Sequence, residues 1–168
     1  IINETTVKGM RRSRSWAKDQ VIYFYLQFDQ PVQAYGVGVN DELQKNINSA
    51  GGKNIKSFFR FALTARKQVK MRIGISGVSM ENAQLNLEKE IPHWDFEKVK
   101  NEADAAWNKE LGKIAVKGGT RDQQVAFYTA LYHTMLAPNM YTDVNGEYRG
   151  TDLKVHKADG FTNYSVFS

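Results

Sequence analysis

The sequence predicts an α+β fold, with part of an antiparallel β-sandwich in its first half and helices in its second half. Apolar residues recur with a period of two in several segments before residue 77, and with a period close to 3.6 after it. The change near Val78 marks a domain boundary. We therefore predict that residues 1–77 are the C-terminal part of a β-sandwich domain, that 78–117 form a helical linker, and that 118–168 begin a second domain.

The strand of residues 21–28, VIYFYLQF, is an almost continuous apolar and aromatic run. Such a run suits a strand that is covered on both faces. Alternation predicts a second strand over residues 34–39. Residues 1–20 are polar and are expected to be mostly loop, with a short strand at 5–10. Residues 40–56 are expected to form a loop or a short irregular helix.

Two further strands are predicted at residues 58–64 and 69–76, and the short link between them predicts a hairpin. Alternation in the second strand predicts one buried and one solvated side. The expected buried side consists of Val69, Met71, Ile73 and Ile75, with Lys70 and Arg72 opposite. Four strands are too few to close a sandwich, so partner strands are expected outside this chain, and exposed strand edges favour self-association.

Two helices are predicted in the linker. Ser79 is placed to cap the first, Pro92 ends it, and its apolar positions are Ala83, Leu87 and Ile91. Asp95 is placed to cap the second helix. Its apolar stripe is opposite charged residues, which is typical of a surface helix, and consists of Val99, Ala103, Ala106, Trp107 and Leu111.

A third helix is predicted after Thr120, whose side chain can form a capping box with Gln123. The helix is apolar around nearly its whole circumference, so we expect it to be deeply buried in a larger helical assembly. His133 lies within it and is interpreted as a hydrogen-bonded core histidine. Pro138 ends the run. Asn145-Gly146 then predicts a two-residue β-hairpin.

The composition excludes some classes of function. The chain has 168 residues, a net charge of +5 and no cysteine, so disulfides, thiolate metal sites and cysteine nucleophiles are absent from it. No apolar run approaches the roughly 18 residues of a membrane span. A basic cluster surrounds Trp16 and is interpreted as a solvated loop rather than a nucleic-acid site; its members are Arg11, Arg12, Arg14 and Lys18.

Four carboxylates are candidates for the acid and base of a hydrolase: Asp143, Glu147, Asp152 and Asp159. All lie in or beside predicted turns, where acidic residues are common, so each is interpreted as a solvated turn residue. The three histidines do not form a metal-binding pair; they are His93, His133 and His156. No catalytic or metal-ligating residue is therefore predicted in this chain.

Tyrosines are frequent in the last third of the chain. Sugar sites use aromatic faces beside polar groups, and buried helical cores use tyrosines equally well, so both interpretations stay open. The residues are Tyr128, Tyr132, Tyr141, Tyr148 and Tyr164.

Two stretches resemble glycoside hydrolase family 92, the bacterial calcium-dependent exo-α-mannosidases. The sequence ALYHTMLAPNMYTDVNGEYRG, followed by FTNYSVFS, is similar to the start of that family's catalytic domain. Upstream, SRSWAKDQVIYFYLQFDQP is similar to late strands of its N-terminal β-sandwich. The resemblance implies that residues 118–168 are the incomplete start of an (α/α)6-type catalytic barrel, and that the chain is an internal fragment.

The same resemblance implies a function for the parent protein. It would remove α-linked mannose from glycans with inversion, in the periplasm or outside the cell, with calcium as cofactor. The family's catalytic and calcium-binding residues lie further downstream, so none is assigned here, and the fragment alone is expected to bind no calcium and to be inactive. The alternatives are a non-catalytic β-sandwich module that binds glycan or protein and, more weakly supported, nucleic-acid binding through the arginine cluster.

Overall fold

The computed structural model describes residues 1–15, 17–45, 47–62 and 67–166. It contains both sheets and helices, which confirms the α+β prediction. The contacts divide the chain into two compact units. Unit 1 comprises Ile1–Trp94 together with the short segment Asp143–Asn145, and unit 2 comprises Asp95–Thr142 and Gly146–Ser168.

The described residues of unit 1 form two antiparallel three-stranded sheets. The first has the order β1-β2-β6 and the second has the order β4-β3-β5. The strands are β1 (Thr6–Ser13), β2 (Gln20–Phe28), β3 (Val32–Val39), β4 (Glu42–Lys45), β5 (Ile55–Phe61) and β6 (Met71–Ser76).

Strand β2 is the centre of the first sheet, as its apolar run predicts, and each of its faces carries a buried residue. Tyr25 packs with Ala83 and Leu87 of the following helix. On the opposite face, the ring of Phe28 lies 5.2 Å from that of Phe59 and 4.9 Å from that of Phe61, both on β5. The expectation of cover on both faces is therefore confirmed for these two positions.

Two segments that were expected to be mostly loop contain regular strands. Strand β1 extends to Ser13 because its whole length pairs with β2. Strand β4 lies within residues 40–56 and forms a hairpin with β3. The turn of that hairpin is Asn40-Asp41, whose φ angles are 52° and 68°. Two residues with positive φ are typical of a type I′ turn, for which Asn and Asp are favoured residues, so the sequence did carry this signal.

The predicted hairpin between residues 58–64 and 69–76 is wrong. Strand β5 pairs with β3 and strand β6 pairs with β2, so the two strands belong to different sheets. A short link permits a hairpin but does not require one. The pairing partners here are decided by long-range packing, including the contact of the β5 phenylalanines with Phe28.

The face of β6 that was expected to be buried is not covered within the described part of this chain. Gly74 and Ser76 are buried, whereas the opposite face is exposed within the described residues, with Ile75 at 58%. The reason is the approach of the helix α1 (Met80–Glu90). A Cβ atom on Gly74 would lie 2.1 Å from the carbonyl oxygen of Ala83 and 2.7 Å from Cβ of Leu87. Glycine therefore allows α1 to cover this face of the sheet.

The local signals of α1 are confirmed. The Ser79 hydroxyl accepts a hydrogen bond from the backbone N–H of Asn82, which is N-capping geometry. Ala83 is 0% exposed and Leu87 is 1% exposed, and Ile91 packs beside them. The helix thus contributes the predicted apolar stripe to the core of unit 1.

Unit 2 contains two longer helices, α2 (Phe96–Leu111) and α3 (Arg121–Thr134). Asp95 caps α2 by accepting from the backbone N–H of Lys98. Thr120 and Gln123 form the predicted reciprocal capping box at the start of α3. None of the helices in the described ranges is both long and apolar enough to cross a bilayer.

The expected deep burial of α3 is not observed within this chain. The helix has no buried residue, and Val125 is 54% exposed. Helix α2 covers one side, where the ring of Trp107 lies 4.6 Å from that of Tyr132. His133 is exposed as well, so its burial in a core is not observed within the described part of this chain, and its interpretation as a core histidine stays a prediction.

Four short strands complete unit 2, and β7 (Asn139–Met140) pairs with β10 (Tyr164–Ser165). The strands β8 (Glu147–Arg149) and β9 (Val155–Lys157) also pair. The predicted hairpin at Asn145-Gly146 is therefore wrong, because the hairpin turn lies between β8 and β9. Gly146 still has the positive φ of a turn residue, 85°.

Replacing Gly74 by alanine tests the close approach of α1. The added methyl group has no space against the backbone of Ala83. We expect the free energy of unfolding to fall by about 2 kcal/mol, the usual scale for overpacking, as measured by urea denaturation.

The control is Gly51→Ala, because a Cβ at Gly51 would meet no atom within 4 Å. A Gly74→Ala variant as stable as this control would show that α1 is not held closely against the sheet.

Candidate functional site

Asp143 is a buried carboxylate at the centre of a polar network in unit 1. Its residue is 7% exposed, and its Oδ2 atom accepts from the Ser76 hydroxyl at 2.6 Å and from Nδ2 of Asn82 at 2.8 Å. Its Oδ1 atom accepts from Nδ2 of Asn86 at 2.7 Å. Each carboxylate oxygen therefore has at least one short hydrogen bond to a neutral donor.

Local structure places the three donors together. Ser76 is the last residue of β6, and Asn82 and Asn86 are four residues apart on one face of α1. The Ser76 hydroxyl also accepts from the backbone N–H of Val78 at 2.9 Å. The turn from β6 into α1 is thus held by a hydrogen bond of its own, in addition to the one that Ser76 makes to Asp143.

The same asparagines also hold the residues that follow Asp143. Oδ1 of Asn86 accepts from the backbone N–H of Val144 at 3.0 Å, and its Nδ2 also donates to the carbonyl of Ile75 at 2.8 Å. Nδ2 of Asn145 donates to Oδ1 of Asn82 at 3.4 Å. We call the set Ser76, Asn82, Asn86, Asp143 and Asn145 the Asp143 latch.

The interpretation of Asp143 as a solvated turn residue is therefore wrong. A buried charge without partners is very unfavourable, whereas one that accepts several short hydrogen bonds is tolerated. Because these donors occupy both carboxylate oxygens, the group is arranged to hold the chain rather than to activate a water molecule. The local sequence around Asp143 carries no sign of this role, since its partners are more than 55 residues away.

One signal for the latch was present elsewhere in the sequence. Asn82 and Asn86 are adjacent to the core residues Ala83 and Leu87 in α1, so they lie at the edge of the buried stripe. Polar residues repeated four apart at such an edge require hydrogen-bond partners. Sequence reasoning recognised the apolar stripe and missed the pair beside it.

Asp152 and His156 form an exposed pair on the β8–β9 hairpin. Nε2 of His156 lies 2.9 Å from Oδ1 and 3.0 Å from Oδ2 of Asp152. Oδ1 also accepts from the backbone N–H of Lys154 at 3.1 Å. The hydrogen bond from His156 and the one from Lys154 lower the pKa of Asp152 below its ordinary value, so this carboxyl group is ionised at neutral pH.

The remaining candidates are dispersed. Glu147 is the first residue of β8, and Asp159 is exposed in the turn after β9. Within the described part of the chain, no three histidine, aspartate or glutamate side chains are close enough to hold a metal ion. The structure therefore does not gather the four candidate carboxylates into one site.

Two of the five tyrosines of interest serve helix packing. The Tyr128 hydroxyl donates to the carbonyl of Ile114 at 3.0 Å and accepts from the N–H of Val116 at 3.2 Å, which ties the α2–α3 connection to α3. Tyr132 packs on Trp107. These contacts favour the structural interpretation for both residues.

The arginine cluster is not a simple solvated loop. Arg11 and Arg12 lie in β1, and Arg12 donates twice to the carboxylate of Asp19, at 2.6 Å each. This bidentate pair offsets one of the positive charges. Trp16, the aromatic member of the cluster, lies outside the described residues.

Comparison with family models gives two matches that together span most of the chain. Residues 1–76 match the glycosyl hydrolase family 92 N-terminal domain, and residues 82–168 match the glycosyl hydrolase family 92 catalytic domain. The predicted boundaries at residues 77 and 117 stay a prediction.

The matches to solved structures of similar sequence extend over nearly the whole of this chain. A family GH92 α-mannosidase from Bacteroides thetaiotaomicron is 30% identical with a TM-score of 0.87; the match covers 99% of this chain and 23% of that one. A family GH92 inverting mannosidase from the same organism is 27% identical with a TM-score of 0.87, over 96% of this chain and 22% of that one.

A curated relative matches part of the chain. An uncharacterized secreted glycosidase of Arthroderma benhamiae is 41% identical over 91 residues, which are 52% of this chain and 12% of the relative. The chain therefore spans less than a quarter of the length of each of these relatives.

Removing His156 tests the cause of the low pKa of Asp152. His156→Ala deletes the largest contribution, so we expect the pKa of Asp152 to rise toward its ordinary value of 3.8. A carboxyl carbon NMR titration of Asp152 measures it. Because the pKa of Asp152 is lower in the folded state than in the unfolded state, its ionisation stabilises the folded chain at pH values above the unfolded-state pKa. This stabilisation is lost as the pH falls through the folded-state pKa. Identical titrations in variant and wild type would contradict the assignment.

Proposed function

The chain belongs to glycosyl hydrolase family 92, and we propose that it is part of an enzyme that hydrolyses α-linked mannose in glycans. The observation that carries the proposal is the similarity along nearly the whole chain to solved structures named as α-mannosidases. Their identities of 27–30% and TM-scores of 0.87 are those of relatives that share more than a general architecture.

We further propose that these residues are an internal segment of a longer protein. Two kinds of observation support this: the chain spans 23% of the solved α-mannosidase, and apolar faces in both units have no cover among the described residues. Such faces occur on β6 and on α3, and uncovered apolar surface of this kind is uncommon in a self-sufficient domain.

The segment alone is proposed to lack activity. Glycoside hydrolysis needs two carboxyl groups, one as general acid and one as base or nucleophile, on opposite sides of the scissile bond. Asp143 is occupied by its three neutral donors, and Asp152 by its pair with His156. The acid and the base of the reaction are therefore proposed to lie in the remainder of the parent chain.

Exo-action, inversion and calcium dependence are proposed for the parent protein. One solved relative is named as an inverting mannosidase, which supports inversion. Calcium takes six to eight oxygen ligands, among them carboxylates, and no three histidine, aspartate or glutamate side chains of the described residues lie close enough together to hold a metal ion. The ion is therefore proposed to be held by other parts of the parent chain.

The location of the parent protein is proposed to be the periplasm or the exterior of the cell. The Arthroderma relative is named as a secreted glycosidase, which supports export. Mannose-containing glycans are the proposed substrate, and no nucleic-acid partner is proposed.

The test compares the 168-residue chain with the full coding frame that contains it. Both proteins are incubated with α-linked manno-oligosaccharides, and released mannose is quantified with calcium, with a chelator, and after calcium is restored. We expect calcium-dependent release by the full protein and none by the 168-residue chain. Proton NMR of the first product should show the β-anomer, because inversion converts the α-linkage to β.

Two results would contradict the proposal in different ways. A folded full-length protein that released no mannose from any α-mannoside would overturn the assigned activity. Mannose release by the 168-residue chain would overturn the inference that the catalytic groups lie elsewhere.

A further inference from the structure

The β8–β9 hairpin of unit 2 and the turn that follows it carry a cluster of aromatic and polar side chains. The ring of Tyr148 lies 5.7 Å from that of His156 and 5.9 Å from that of Phe161, measured between centroids. Asp152 holds the other edge of His156 through Nε2. Phe161 is 55% exposed, and the side chains of His156 and Asp152 are 43% and 48% exposed. We call these four residues the hairpin cluster.

The turn that carries Asp152 is closed by its own backbone hydrogen bonds. The backbone N–H of Gly150 donates to the carbonyl of Lys154 at 2.8 Å, and the N–H of Leu153 donates back to the carbonyl of Gly150 at 2.9 Å. A Cβ on Gly150 would lie 2.7 Å from Oδ1 of Asp152 and 2.8 Å from Cδ2 of His156. The absence of a side chain at Gly150 therefore lets the polar pair lie directly on the backbone.

The hydrogen-bonding capacity of the pair is defined by its charge state. An ionised carboxylate only accepts hydrogen bonds, so Nε2 of His156 carries the hydrogen and donates it to Asp152. The other ring nitrogen, Nδ1, has no hydrogen-bond partner within the described part of the chain, and it can accept or donate a hydrogen bond according to the protonation of the ring. Oδ2 of Asp152 also has unused acceptor capacity, so the pair presents two hydrogen-bonding groups to solvent.

The aromatic rings add a second kind of contact. The face of an aromatic ring is electron-rich and attracts the weakly positive C–H groups of a sugar ring. A pyranose combines an apolar C–H face with neighbouring hydroxyl donors. An exposed ring, Phe161, and a half-buried one, Tyr148, beside hydrogen-bonding side chains match both features, and preorganised groups lose little entropy on binding.

We propose that the hairpin cluster of Tyr148, Asp152, His156 and Phe161 is a binding subsite for one pyranose unit of a mannose-containing glycan. Phe161 and Tyr148 contact the C–H face of the sugar, Asp152 accepts a hydrogen bond from one hydroxyl group, and Nδ1 of His156 forms a hydrogen bond with an adjacent one. This inference rests on the proposed function, since it assigns part of the recognition of that enzyme's substrate.

The experiment uses the full coding frame and four variants: Asp152→Asn, His156→Ala, Phe161→Leu and, as control, Asp159→Asn. Asp159 is an exposed turn carboxylate outside the cluster. Calorimetric titration with a non-hydrolysable thio-linked α-manno-oligosaccharide measures Kd, and steady-state hydrolysis measures KM and kcat. Thermal melting reports on folding, and Phe161→Leu keeps an apolar side chain in case the polar variants are poorly folded.

The inference predicts about a tenfold rise in Kd for Asp152→Asn and His156→Ala, the effect of losing one hydrogen bond to a charged group. Phe161→Leu should raise Kd about fivefold, within the range expected for an aromatic contact. In these variants KM rises with little change in kcat or melting temperature, and Asp159→Asn matches wild type.

Wild-type Kd and KM in all three cluster variants, from an enzyme that hydrolyses α-mannosides, would overturn the subsite and leave the proposed function intact. A fall in melting temperature without a change in Kd would also overturn it, because the cluster would then be structural. If the full-length wild type neither bound nor hydrolysed α-mannosides, the proposed function and the subsite would fail together.

Discussion

The buried carboxylate of Asp143 is the constraint on which the arrangement of unit 1 depends. A charge removed from water is tolerated only where hydrogen bonds replace its hydration. Here the replacement comes from one hydroxyl and two amide groups, all neutral and all at 2.6–2.8 Å. Hydrogen bonds to a charged acceptor contribute about 1.5–3 kcal/mol each, so the latch is a strong local link between distant parts of the sequence.

The latch also explains the polar composition of the core of unit 1. Four of the five buried polar residues among those described belong to it: Ser76, Asn82, Asn86 and Asp143. Each has a hydrogen-bond partner within the network, and no buried side-chain polar atom in the described ranges is unsatisfied. The apolar core beside it is small, with Tyr25, Ala83 and Leu87 at its centre. The hydrogen bonds of the Asp143 latch and the close packing at Gly74 therefore act together to hold α1 on the sheet.

How far the sequence predicts this fold depends on the range of the interaction. Helix starts were predicted correctly because Ser79, Asp95 and Thr120 bond to backbone groups only three residues away. The pairing partners of β5 and β6 were predicted wrongly, because the length of the link between two strands does not show which sheet each strand joins. The cover of Gly74 and Ser76 by α1 was also not predicted, since alternation defines two faces without showing which one a helix will cover.

The candidate site shows the same limit. Asp143 and Asp152 are both acidic residues near predicted turns, and their sequences do not distinguish them. The structure does: Asp143 is buried by partners from β6 and α1, whereas Asp152 is exposed and paired within its own hairpin. The family resemblance was recognised from local motifs and was confirmed, because such motifs are read directly from the chain.

A double-mutant cycle between Asn86 and Asp143 tests the latch most directly. Urea unfolding would give the free energies of the wild type, Asn86→Ala, Asp143→Ala and the double variant. We expect the two losses not to be additive, with a coupling energy of about 1.5 kcal/mol, as for residues in one hydrogen-bonded network. Losses that add to within about 0.3 kcal/mol, the behaviour of independent sites, would contradict it.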